Sequence, residues 1–199
     1  MGQRLVISIE TKGEPIARLY YHWSAYTVSA LYETQQVVNC IYNHKDETIK
    51  ELQLRLIRFC EQNGGGIRGN DEEFKYIQNM FPNETFITDD YSRNRGLIAI
   101  SEKGMEELQY WSEGDVIINL DEDEINFGVY ACYDGFDNYI EERKEWDDEF
   151  EGMTLEEIPD IGYDLGWIAV SEINNVIAAL DATNANPVRC GNEIYELTE

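Results

Sequence analysis

Gly96-Leu-Ile-Ala-Ile-Ser-Glu102 returns seventy positions later as Gly166-Trp-Ile-Ala-Val-Ser-Glu172, with five of seven residues identical. In each copy an apolar run suited to a buried strand leads into a serine and then a glutamate. A serine at that place accepts a hydrogen bond from a free N–H of the first helical turn, and the glutamate favours the positive end of the helix dipole. Helical spacing follows both times: Met105, Leu108 and Trp111 share one face, and Ile173, Val176, Ile177 and Leu180 another. Strand-like pairs come next, 116–120 with 125–133 and 188–190 with 194–197. The expectation is a duplicated strand-helix-hairpin unit over 96–133 and 166–199, with the Ile98 and Ile168 strands buried and Ser101 and Ser171 both capping helices. Chance likeness of a common strand-to-cap sequence is the other reading.

Upstream, residues 5–9 alternate as a strand, 11–15 read as a turn and 16–23 as the returning strand of a hairpin. Ser24 is expected to cap a helix whose apolar positions are Val28, Leu31, Tyr32, Val38 and Tyr42. Thr48 and Glu51 have capping-box spacing ahead of Ile49, Leu52, Leu56 and Phe59, and Gly64, Gly65 and Gly66 end that helix. Asn70 caps a short helix over 71–80, and the polar stretch to Arg95 connects to the second half. The fold class is therefore α+β, an N-terminal hairpin with two or three helices followed by the duplicated unit. The expected organisation is a near-neutral lobe, 1–92, and a strongly acidic one, 93–199.

Charge divides the same way. The chain has 40 acidic residues against 15 Lys and Arg, a net charge of −25, and its pI is about 4.2. Before residue 101 there are 11 basic and 13 acidic residues and after it 4 and 27, so the halves carry −2 and −23. Within 113–164, 19 acidic residues face only Arg143 and Lys144. That stretch also holds apolar positions at helical period, Phe136, Tyr139, Ile140, Trp146 and Phe150, with Asp137, Glu141, Glu142, Glu145, Asp148 and Glu149 mainly opposite. An acidic helix between the two copies is expected. Carboxylates at i and i+4 rise by about 6 Å, whereas duplex DNA presents a charge every ~1.7 Å. One such helix cannot match that density alone, so the 121–124 hairpin tip and residues 156–164 must add to it.

Several functions are disfavoured. Direct binding to nucleic acid needs lysines and arginines that displace counterions. The apolar runs are too short to span a bilayer, and no basic amphipathic stretch suggests binding at its surface. Cys40, Cys60, Cys132 and Cys190 show neither C-x-x-C nor zinc spacing, which suits a reduced, cytoplasmic protein. Gly64-Gly-Gly-Ile-Arg-Gly69 lacks the lysine and hydroxyl residue of a phosphate loop. The calcium-like start Asp121-x-Asp123 reaches Cys132 where a bidentate glutamate belongs. No metal or cofactor is expected. His22, in Tyr20-Tyr-His-Trp23, is the one candidate general base, and a packed or capping histidine is the commoner role at a strand end.

Gly2-Gln-Arg-Leu-Val-Ile-Ser8 followed by Leu19-Tyr-Tyr-His-Trp23 resembles the opening of uncharacterised bacteriophage proteins with a G-x-R-x-V-I strand and a Y-x-H-W strand end. The likeness covers about the first forty residues, and Ser24-Ala-Tyr26 stands where that family has a Gly-rich turn. It implies a phage context, in which small acidic proteins inhibit host defence nucleases, as anti-CRISPR proteins do; this part is analogy. The leading expectation is a non-enzymatic inhibitor in the bacterial host cytoplasm that binds a basic nucleic-acid-handling protein, in effect a nucleic-acid mimic. Its contacts would be Asp121, Asp123, Glu124, Glu141, Glu145, Asp148 and Glu149, with Tyr133, Phe136 and Tyr163 as aromatic anchors. The alternative is a small enzyme or ligand-binding protein with a site around His22, the acidic half serving only solubility.

Overall fold

A computed structural model describes residues 4–22, 24, 25, 27–89, 96–127, 166–175, 177 and 178. Strands β1 (Leu5–Thr11) and β2 (Glu14–Tyr21) form an antiparallel hairpin. Its turn residues Lys12 and Gly13 both have positive φ, 55° and 74°, the backbone of a two-residue turn that matches strand twist. Helix α1 (Thr27–Ile41) begins three residues beyond Ser24, whose buried hydroxyl donates to Glu33 Oε1 at 3.4 Å. Helix α2 (Ile49–Gln62) carries the expected capping box: Thr48 Oγ1 accepts from Glu51 N, and Glu51 Oε2 accepts from Thr48 N at 2.9 Å.

The Gly-rich stretch does more than stop α2. It opens strand β3 (Gly66–Arg68), which leads through α3 (Asp71–Met80) to the two-residue strand β4 (Thr88–Asp89). Then come β5 (Leu97–Ala99), α4 (Glu102–Tyr110), and the hairpin of β6 (Gly114–Asn119) with β7 (Glu124–Phe127). Strand β8 (Gly166–Ala169) follows, with a 3-10 turn over Val170–Glu172. All eight strands form one mixed sheet in the order β4-β3-β5-β2-β1-β6-β7-β8. Strands from both sides of residue 92 alternate in it, so the two halves of the chain share a core.

One sheet face carries the main apolar core. Leu5, Ile7, Ile9, Leu19, Ile98, Val116, Ile118 and Ile125 lie there, closed over by Leu31 and Ile41 of α1 and Leu52, Leu56 and Ile57 of α2. Each such side chain contributes about 1.5–3 kcal/mol by leaving water. Ile173 and Ile177 join this core, as their spacing predicts. On the other face a smaller cluster of Val6, Tyr20, Leu97 and Ala99 packs against Met105 and Leu108 of α4 and Trp111 at its C-terminal cap.

A buried carboxylate ties the elements around β5 together. Asn70 caps α3 by accepting from Glu73 N at 2.6 Å, and Glu73, 1% exposed, turns its side chain to the start of α4. Glu73 Oε1 accepts from Ile100 N at 2.7 Å and Ser101 N at 3.1 Å, and Oε2 takes the Ser101 hydroxyl. Ser101 Oγ in turn accepts from Gly104 N at 3.0 Å. Free N–H groups at a helix start need acceptors, and the Glu73 and Ser101 oxygens supply them inside the fold.

The two copies of the near-repeat occupy different settings. β5 is interior and buried, while β8 pairs with β7 alone among the described strands, and Trp167 is 52% exposed. Ile168 is only partly buried, against the expectation for both strands. Ser101 caps a helix as expected, but Ser171 lies within the 3-10 turn, whose cap, Ala169, makes no side-chain bond. Equal sequence did not give equal environment, because burial is decided by the neighbouring strands. The expected acidic helix over 136–150 and the second hairpin, 188–190 with 194–197, lie outside the described residues.

Two stability measurements check this account. Ser101→Ala should cost about 1–2 kcal/mol and Ser171→Ala less than about 0.5 kcal/mol; equal losses in denaturant unfolding would restore the equivalence. A Cβ on Gly104 would collide with Glu73 Oε2 and lie 3.0 Å from the Ala99 Cβ. Gly104→Ala should therefore destabilise by about 2 kcal/mol despite alanine's better helix propensity, and a stabilised variant would contradict the packing described.

Candidate functional site

Four strands present a face beside α4 that no other described element fully covers. Register partners share a face, so Ser8, Ile117, Asn126 and Trp167 form one row across β1, β6, β7 and β8. Glu10, Asn119, Glu124 and Ala169 form the next. Ser8 is buried beneath Arg18, which donates to Ser8 Oγ at 3.1 Å and to the Met105 carbonyl at 2.9 Å. Away from that corner Ile117, Asn119 and Asn126 are half-buried, and Glu124, Trp167 and Ala169 are exposed. Asp115 lies at the start of β6 on this face and accepts from Gln109 Nε2 at 2.6 Å and Ser112 Oγ at 2.7 Å.

The 121–123 tip closes β6 onto β7. Asn119 Oδ1 accepts from Asp121 N at 3.0 Å and Glu122 N at 3.1 Å, a side chain standing in for a backbone turn. Asp123 takes the left-handed conformation, φ 55°. Its two carboxylate oxygens accept from Lys45 Nζ at 2.5 and 2.6 Å, and that hydrogen bond holds the ammonium above its ordinary pKa. Asp121 accepts from Thr11 Oγ1 at 3.1 Å and from Lys12 N. Two of the expected contact residues thus fasten the tip to the first hairpin and to the connection between α1 and α2, and Asp121, Glu122 and Glu124 are exposed. Sequence spacing marked the tip as acidic but gave no sign that Lys45 would reach it.

Phe127 and Gly166 are cross-strand partners. The chain between them, 128–165, therefore leaves and re-enters the sheet at one place. It holds 13 acidic residues against Arg143 and Lys144. Glu141, Glu145, Asp148, Glu149, Tyr133, Phe136 and Tyr163 belong to it and lie outside the described residues.

Most described cations are already engaged. Arg4 pairs with Glu113, Arg55 with Glu47, Arg58 with Glu61 and Glu84, Arg68 with Glu107, Lys103 with Glu72, and Lys45 with Asp123. With 15 basic residues for 40 acidic ones, one-for-one pairing leaves 25 carboxylates without a cation from this chain.

His22 stands at the end of β2, where Tyr20 Oη and His22 Nδ1 are 2.6 Å apart. The Tyr20 ring meets Trp111 edge-on at 5.6 Å, and the Arg68 guanidinium lies over Trp111 at 4.8 Å. Nearby, Arg4 donates from its backbone N at 3.0 Å and from its guanidinium at 2.9 Å to Glu113. Burial pushes the Glu113 carboxyl up, but these bonds and the Arg4 charge outweigh it and hold the group below its ordinary value. His22 thus belongs to a packed aromatic and ionic cluster that closes one end of the sheet.

A separate open groove of about 810 Å³ runs between α1 and α2, lined by Gln36, Cys40, His44, Glu47, Arg55 and Phe59 among others. His44 Nδ1 contacts Glu47 Oε1 at 2.9 Å, and Arg55 donates to both Glu47 oxygens at 2.6 and 3.2 Å. Burial pushes the Cys40 thiol up, opposite to what a thiolate nucleophile requires. The groove's charged groups satisfy one another. Among the described residues no group of three or more His, Cys, Asp or Glu is placed to hold a metal ion, and no helix is long and apolar enough to cross a membrane.

The chain matches no protein-family model, no curated protein and no solved structure. Sequence reasoning did not pick out Trp167. The signal was present: Trp167 takes the place of Leu97, the large apolar residue of the interior copy.

The Glu113 pair gives a pH test. A carboxyl whose folded pKa is depressed stabilises the fold fully above the unfolded value, and this contribution is lost as pH falls through the folded one. Glu113→Gln should cost about 1 kcal/mol at pH 7, with the difference from wild type shrinking below about pH 4.3. A pH-independent difference in denaturant unfolding would contradict the ionic origin.

Proposed function

We propose that the protein is a non-enzymatic, phage-type inhibitor that acts in the bacterial cytoplasm on a basic, nucleic-acid-handling host protein, most naturally a CRISPR-type nuclease. The observation that carries this reading is the concentration of 13 acidic residues against Arg143 and Lys144 in 128–165, between two residues that are partners in the sheet. Like charges gathered on a compact protein oppose folding, and a cationic partner relieves that repulsion. The same charge steers diffusional encounter with a lysine- and arginine-lined groove. Pairing inside the fold supports it further, because the chain's own cations are too few and most of the described ones are already engaged. The resemblance of the first forty residues to phage proteins supplies the biological setting.

The test reverses charge at expected contact residues within 128–165. Glu141, Glu145, Asp148 and Glu149 are changed together to lysine, leaving Asp121 and Asp123 in place. The variant should unfold cooperatively and lose at least tenfold in its inhibition of DNA binding by a CRISPR-type nuclease. Wild-type inhibition should itself weaken steeply from 50 to 200 mM salt. Undiminished inhibition by the folded variant would refute the acidic-surface mechanism.

A further inference from the structure

We infer that the groove between α1 and α2 is where a second copy of this chain docks, forming a reversible dimer in which the two α2 helices pack antiparallel about a two-fold axis. Every residue that lines the groove belongs to the described part of the chain. The dimer forms whatever protein the acidic half binds.

The order of charges along the groove carries this. Its α2 side begins just before the helix at Glu47 and continues through Glu51, Leu54, Arg55, Arg58 and Gln62, three or four residues apart on one stripe. Carboxylates come first and guanidiniums second. Cys40, Leu54 and Phe59, half-buried against the main core, form an apolar floor. A half-turn about the point between Leu54 and Arg55 sets Glu51 of each copy opposite Arg58 of the other, and Glu47 opposite Gln62. Glu51 and Arg58 are about 10 Å apart along the helix, so both pairs form at once, as in an isologous interface. Glu51 accepts from Thr48 N and Oγ1 at 2.9 and 2.7 Å but pairs with no cation among the described residues. Arg58 keeps 34% of its side chain exposed. Its guanidinium has more donors than Glu61, Glu84 and the Thr85 carbonyl take up.

Charge also selects the occupant. Two carboxylates and two guanidiniums line the groove, which is therefore neutral on a chain of net charge −25. A basic protein is drawn instead to the second half, and an acidic one is repelled by the whole chain. A face that runs from acid to base is matched by the same face turned round. Helix α2 has 14 residues, about 21 Å, and two packed helices are about 20 Å across. A face of that size lies at the small end of specific interfaces, so association is reversible. Two chains of like charge repel at long range, and salt screens this more than it weakens pairs held in a packed interface. The dimer therefore tightens as salt is added, the reverse of a complex with a basic partner.

Sedimentation equilibrium of the full chain tests this. Wild type should show a monomer–dimer equilibrium that tightens about threefold or more between about 50 and 500 mM salt. Glu51→Arg, which sets like charges together, should weaken it at least about tenfold. That change also breaks the Thr48 capping box, so a second position is used: Gln62 is exposed and makes no hydrogen bond among the described residues. Gln62→Lys, opposite Glu47, should tighten the dimer about threefold and Gln62→Glu loosen it as much. Asn79→Lys and Asn79→Glu, the same charge changes at an exposed position of α3, should leave it near the wild-type value. A dimer that salt dissociates, or that treats the Gln62 and Asn79 variants alike, overturns the inference. So does a monomer at every concentration, and a small molecule found on that monomer by native mass spectrometry would give the groove to that ligand.

Discussion

Strand β1 is the constraint on which the rest of the molecule depends. It pairs antiparallel with β2 on one side and parallel with β6 on the other, and Leu5, Val6, Ile7, Ser8 and Ile9 are buried although they point alternately to opposite faces. Only a strand at the centre of a sheet covered on both faces is buried in this way. Its pairing with β6 is pinned at both ends by backbone bonds, Gly114 N to the Arg4 carbonyl at 3.0 Å and Leu120 N to the Glu10 carbonyl at 3.0 Å. The Arg4 and Glu113 ion pair reinforces the first end. This junction fixes which residues of the acidic half face solvent, because a slip by one residue would exchange Ile118 with Asn119 and bury polar groups in the main core.

What could be read from the sequence was local. Thr48, Asn70 and Ser101 cap helices where spacing placed them, because a cap is decided within four residues of chain. The parallel match of β1 to β6 joins residues 109 positions apart, and no periodicity encodes it. Strand β3 was hidden for a related reason: its glycines read as loop, and it is a strand because β5 and β4 lie on either side of it. Glu73 shows the same limit in polar chemistry. In sequence it is one of three acidic residues in the first turn of α3, and in the fold it is the one turned inward to meet Ile100 and Ser101.

The acidic surface divides by role. Asp121, Asp123, Glu113 and Glu47 are held by cations or backbone donors and shape the protein. Their charge is partly answered within the fold. Glu122 and Glu124 stand one position from Asp121 and Asp123, and their side chains take no part in those bonds. Spacing alone could not sort them, since the distinction depends on Lys45 and Thr11 arriving from the other half of the chain.

The meeting of Phe127 with Gly166 also separates the inheritance of the fold from that of the charge. A stretch whose two ends are already held side by side can lengthen or shorten at little thermodynamic cost, each doubling of a closed loop adding only about 0.6 kcal/mol. The sheet register on either side need not change when it does. The length and charge of 128–165 can therefore change without altering the pairing of β1 with β6, of β6 with β7 or of β7 with β8.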